Sequence, residues 1–183
     1  HLCNVALDLE GYRLVERNGQ HGAIDTATAL ANCGIACGAF LDNERFDPGR
    51  RQRLLDRRDI AAATWAEVRN IEEAVARWLP FEQLDEIVTL AGKIVGQPDG
   101  RHQLAQVRAA LGDNDRGLTL QAARERDGEE AVRCAVARAM NENRWFKNEF
   151  RGRELAQKLI ALGIPEQIAG TIRSFWNRVA ALG

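Results

Sequence analysis

The chain has 183 residues, 45% of them apolar and 28% charged, with a formal charge of −1. This balance excludes a disordered charged tail and gives no global attraction to nucleic acid or to a membrane surface. No apolar run approaches the roughly 18 residues that a membrane span needs.

The four cysteines, Cys3, Cys33, Cys37 and Cys134, are sparse and unevenly spaced. They argue against a disulfide framework and predict a reducing, cytoplasmic setting. No basic segment followed by an apolar stretch opens the sequence, so no signal peptide is expected. Arginine outnumbers lysine 22 to 3, which reads as the codon signature of a GC-rich bacterial genome.

Apolar residues recur at helical spacing almost throughout, and the expected fold is all-α: a compact array of eight or nine helices with at most one short N-terminal hairpin. Residues 2–17 admit two readings. Leu2, Val5, Leu9 and Tyr12 share one helical face, while Val5–Leu9 and Tyr12–Val15 could pair around Glu10-Gly11; helix is favoured because no other segment offers a strand to complete a sheet. Asp25 or Thr26 caps a helix running to Leu41. Asp47-Pro48 is an N-cap followed by proline at the first helical position, and it opens an arginine-rich helix over 48–58.

Thr64 and Glu67 have the spacing of a capping box, which predicts a helix bearing Trp65, Val68, Ile71, Val75, Trp78 and Leu79. Pro80 ends it. The next stripe, Leu84 to Val95, is closed by Gly96 with Pro98 beyond. Asp99 caps a helix through Leu104, Val107 and Leu111, closed by Gly112. Residues 113–117 read as a loop and as a soft boundary (112–117) inside a single domain spanning 1–183. A short helix around Ala122 and Ala123 follows. Asp127-Gly128-Glu129-Glu130 opens another, with Val132, Val136 and Met140. A helix ending at Leu162-Gly163 and a last one from Pro165, with Ile168, Ile172, Phe175, Trp176 and Val179, complete the chain.

No catalytic or metal motif stands out. Cys33 and Cys37 fall at i and i+4 of the helix expected to reach Leu41, within a ridge of small residues: Ala27, Ala31, Gly34, Cys37 and Gly38. They read as packing residues, because no co-ligands or C-x-x-C spacing accompany them. Gly34 and Gly38 make G-x-x-x-G, a packing spacing without a phosphate-loop lysine. His1, His21 and His102 lie in no ligand pattern. The carboxylates Glu72-Glu73, Asp85-Glu86 and Glu129-Glu130 fit the solvated faces of amphipathic helices. No metal and no cofactor is therefore expected, and the chain reads as non-enzymatic.

Charge is distributed unevenly. Residues 50–58 and 144–183 each net +4, whereas 1–49 nets −4 and 59–143 nets −5. The C-terminal segment interleaves its charge with aromatics, and Arg144, Trp145, Lys147, Arg151, Arg153, Lys158, Arg173 and Trp176 are the candidate binding residues. Arg50, Arg51, Arg53, Arg57 and Arg58 form a secondary cluster. Arginine among aromatics suits phosphate contact with base stacking or a protein hot spot; the helix–glycine turn–helix outline from Leu155 to Ile172 is one that DNA readers use.

The expectation is a regulatory or adaptor domain that binds a protein or a nucleic acid through its C-terminal helices. A helical enzyme or small-ligand binder with a pocket between helices is the alternative, and a self-assembling structural protein, a homo-oligomer, is the third.

Overall fold

The computed structural model describes residues 19–43, 47–97, 99–113, 117 and 119–182. The structure is mostly helical, 68% of it, with nine α-helices and one pair of strands among the described residues. The helix favoured over residues 2–17, like its hairpin alternative, lies outside the described residues. The chain divides into two compact units, one made of 1–71 and 166–183 and the other of 72–165. The expected soft boundary at 112–117 falls within the sequence range of the second.

In the first unit, α1 (Gly19–Asn32) leads to strand β1 (Cys37–Leu41), α2 (Pro48–Leu55) and strand β2 (Ile60–Thr64). The strands are parallel, in a register that pairs Cys37 with Ile60 and Leu41 with Thr64. Parallel neighbours require a crossover, and α2 lies within it. Side chains alternate between the two faces. One face buries Ala39, Leu41, Ile60 and Ala62 with Ile24 and Ala27 of α1 and Leu54 of α2. On the other, Phe40 meets the edges of Trp65 and Phe175, with ring centroids 5.1 and 5.3 Å away. Phe175 belongs to α9 (Glu166–Ala180), which packs on both strands.

Two expectations are corrected here. The helix expected to continue to Leu41 ends at Asn32. Gly34 adopts φ +73°, its amide bonds to the Ala31 carbonyl at 2.9 Å, and the Ile35 amide returns to Leu30 at 3.0 Å. Such a left-handed glycine closes a helix, so Cys37 starts a strand instead of sharing a helical face with Cys33.

The capping box at Thr64 is not formed either. Thr64 closes β2, its hydroxyl is buried without a partner, and α3 begins only at Ile71. Trp65 and Val68 are buried, but from a non-helical connector.

The second unit is helical: α3 (Ile71–Trp78), α4 (Leu84–Ile94), α5 (Arg101–Leu111), α6 (Leu120–Asp127), α7 (Glu129–Glu142) and α8 (Glu149–Leu162), with a 3-10 turn at Phe81–Gln83. Local signals set these ends. Pro80 separates α3 from the 3-10 turn, and Gly96 and Gly112 close α4 and α5 at φ +77° and +74°. The Thr119 hydroxyl and the Asn148 side chain accept from the Ala122 and Arg151 amides at 3.1 and 2.9 Å, capping α6 and α8.

The core of this unit gathers Val75, Leu79, Leu84, Ile87, Val107, Leu120, Val132, Val136, Met140, Leu155 and Leu159. Arg133 of α7 donates to the carbonyls of Ala76 and Leu79 at 2.6 and 2.9 Å. It thereby satisfies acceptors that the end of α3 leaves open.

Candidate functional site

The basic aromatic residues singled out in the sequence fall in both units. Arg144, Trp145, Lys147, Arg151, Arg153 and Lys158 belong to 72–165; Arg173 and Trp176 belong to the other unit. The helix–turn–helix outline is divided in the same way, since α8 and α9 lie in different units.

The turn between α7 and α8 carries most of the chemistry. Trp145 and Phe146 point inward, 4% and 6% exposed, edge to face with centroids 6.5 Å apart. The Trp145 indole N–H donates to Gln106 Oε1 of α5 at 2.6 Å, which satisfies the one polar group of a buried tryptophan. Its amide returns to Met140 at 3.1 Å. Arg144, immediately before, is the one non-glycine residue with positive φ among the described residues, at 53°. A backbone held there is maintained by its surroundings, here by the buried aromatic pair that follows it.

Outside this anchor, Arg144 and Phe150 face solvent, and Phe150 at 63% is the most exposed large apolar side chain among the described residues. Arg151 Nη1 donates to the Arg144 carbonyl at 3.3 Å, joining the start of α8 to the turn.

The remaining cations of the group are engaged by carboxylates. Lys147 lies 3.0 Å from the buried Glu72, Arg153 3.6 Å from Glu149, and Lys158 reaches Glu86. In the other unit, Arg173 lies 3.3 Å from Glu166, and Trp176 is half-buried.

The secondary cluster on and after α2 is engaged similarly. Arg50 contacts Asp25 and donates to His21 Nδ1 at 2.9 Å. Arg57 binds Asp59 through two nitrogens, at 2.9 and 2.5 Å, and reaches Asn32 at 3.2 Å. The Arg57 hydrogen bonds hold the Asp59 carboxyl below its ordinary value. Arg51 is half-buried, while Arg53 and Arg58 are exposed.

The three described thiols are free, Cys33 and Cys134 exposed and Cys37 half-buried. Burial, followed by the negative charge of Asp59, pushes Cys37 above its ordinary value, and its S–H points at the Ala27 carbonyl, 3.4 Å away. Burial and Glu130 do the same to Cys134. No three His, Cys, Asp or Glu side chains gather to hold a metal among the described residues.

One arrangement was not visible in the sequence. At the carboxyl end of the parallel pair, Gln20 Nε2 donates to the Asp42 carbonyl at 2.8 Å. Gln20 Oε1 and the Thr64 hydroxyl, which sits at the end of β2, are both buried without a partner. Ligands of parallel sheets bind at this end. The usable signal was the run Ile35–Leu41 without a charged residue, bounded by Gly34 and Asp47-Pro48 and short enough for a strand.

No family model matches the chain, and no curated protein or solved structure matches it.

Proposed function

We propose that the chain is a non-enzymatic regulatory or adaptor domain that docks a protein partner through the turn between α7 and α8. The observation that carries this reading is Phe150, 63% exposed in the first turn of α8 next to Arg151, whose guanidinium bonds the Arg144 carbonyl of a turn anchored by buried Trp145 and Phe146. An exposed aromatic with arginines around it, on a base already ordered, is the makeup of an interface hot spot. Ordering it in advance lowers the entropy lost on binding.

A protein is favoured over a nucleic acid because Lys147, Arg153, Lys158 and Arg173 already face carboxylates. A cation held by a carboxylate has less to gain from phosphate contact and counterion release. The test is paired capture from a cell extract with wild-type chain and Phe150→Ala as baits of equal melting temperature. A protein retained by the first and depleted at least tenfold on the second is expected; equal retention contradicts the reading.

The alternative of a small-ligand site is favoured by one observation, the two unpartnered buried oxygens of Gln20 and Thr64 at the carboxyl end of the strands. Buried polar atoms without partners call for an explanation, and a bound polar molecule supplies one. A thermal-shift screen against phosphorylated and other polar small molecules distinguishes the two. A stabilisation seen in wild type and absent in Thr64→Val supports the ligand site; no shift with any compound leaves the docking turn as the account.

A further inference from the structure

We propose that the Glu72–Lys147 pair is a latch that holds the α7–α8 turn in the conformation that presents Arg144 ahead of Phe150 at the start of α8. The consequence for binding rests on the docking role proposed above; the latch itself does not. Glu72 lies in the first turn of α3 and is 1% exposed. Both of its carboxylate oxygens are buried and make no directed hydrogen bond. Lys147 Nζ is 3.0 Å from Oε1, close enough for strong attraction but outside hydrogen-bond geometry. The pair is therefore held by charge.

A buried carboxylate with so little other compensation depends on its cation. The lysine end of the pair is partly exposed, with 29% of its side chain accessible, and it belongs to a turn instead of a helix. The turn's other side-chain attachments include the Trp145–Gln106 bond, the Asn148 cap and the bond from the Arg151 guanidinium to the Arg144 carbonyl, and none of them reaches Glu72. When the cation is lost, the buried Glu72 must regain water, and the segment that the lost contact leaves unheld is the turn over residues 143–148. The exposed pair Arg144 and Phe150 then loses its fixed spacing.

Hydrogen exchange of the full chain, read by mass spectrometry at neutral pH, tests this without a binding partner. In Lys147→Met the amides of 144–149 are expected to exchange at least tenfold faster than in wild type, with α4 and α5 unchanged. Unchanged exchange at 144–149, or acceleration spread evenly over 72–165, overturns the latch and makes the pair an ordinary core contact. Should Lys147→Met fail to fold, the double variant Glu72→Gln, Lys147→Met removes both charges, and a smaller local acceleration at 144–149 is expected, because the attraction that holds the turn is gone while no stranded carboxylate drives it open. Wild-type exchange in that variant also overturns the proposal. If exchange follows the latch while Phe150→Ala leaves protein capture intact, the docking role falls and the latch stands.

Discussion

Replacing Gly38 by alanine tests the packing of α9 on the parallel strands. A Cβ built on Gly38 lies 2.5 Å from Val179 Cγ2 and 3.0 and 3.2 Å from the Phe175 ring. The first separation is far inside van der Waals contact, and the β-branched valine has few rotamers to escape into. Overpacking of this kind costs about 1–3 kcal/mol. Against it stands the gain from stiffening the unfolded chain, about 0.4–1 kcal/mol for glycine to alanine. The net expectation is a loss of about 1–2 kcal/mol.

Val179→Ala removes the clashing methyl groups, so the two changes must couple. The double variant is expected to be more stable than the sum of the single changes by at least about 1 kcal/mol. Urea unfolding followed by far-UV circular dichroism, with the denaturant slope checked for constancy, measures all four corners of the cycle. A neutral or stabilising Gly38→Ala, or additive changes, would refute the placement of α9 against β1.

Three further outcomes follow from the same geometry. Asn148→Ala removes the α8 N-cap and is expected to lower stability by about 1 kcal/mol, with Asn148→Asp close to wild type; thermal unfolding checks both. In a timed alkylation at neutral pH read by mass spectrometry, the exposed Cys33 is expected to react well before Cys37, whose thiol is raised and half-buried; equal rates contradict that placement. Asp59, Asp127 and Glu129 are held below their ordinary values chiefly by hydrogen bonds from Arg57, Arg126 and Arg133. Lowered carboxyl groups contribute stability that is present above the unfolded values of 3.8 and 4.5 and is lost as pH falls through the lowered ones, so the melting temperature should fall on acidification below about pH 4. A flat profile there contradicts these ion pairs.

The helices of the second unit were legible because their signals are local. Pro80, Gly96, Gly112 and Gly163 each act within one turn of their helix, and the Asp47-Pro48 start of α2 holds for the same reason: the Asp47 side chain accepts from the Arg50 amide at 3.0 Å. The second strand was not legible. Ile60-Ala61-Ala62-Ala63 is rich in the best helix former and buried on both faces, so neither composition nor period marks it as a strand. Its partner lies more than twenty residues away, beyond any local pattern, and the Thr64–Glu67 spacing imitates a helix start.

The candidate site was half legible. Interleaved arginine and aromatic residues look alike whether they line a core or a surface. Helical geometry places one of them: the buried stripe of α8 is Leu155 and Leu159, and Phe150 stands about 140° from the first and 180° from the second at 100° per residue, hence on the outer face. Trp145 precedes the helix, and only its bond to Gln106 on α5 places it inside.

The central claim, that Phe150 is the anchor of a protein interface, is tested most directly by the affinity of the captured protein for wild type and for Phe150→Ala at 50 and 200 mM salt. A hot-spot aromatic is worth about 2 kcal/mol or more, so the variant is expected to bind roughly thirtyfold more weakly at both salts, with only a shallow salt dependence for wild type. Unchanged affinity of the folded variant contradicts the claim. So does a wild-type affinity that collapses about a thousandfold or more between the two salts, because that is the signature of phosphate contacts.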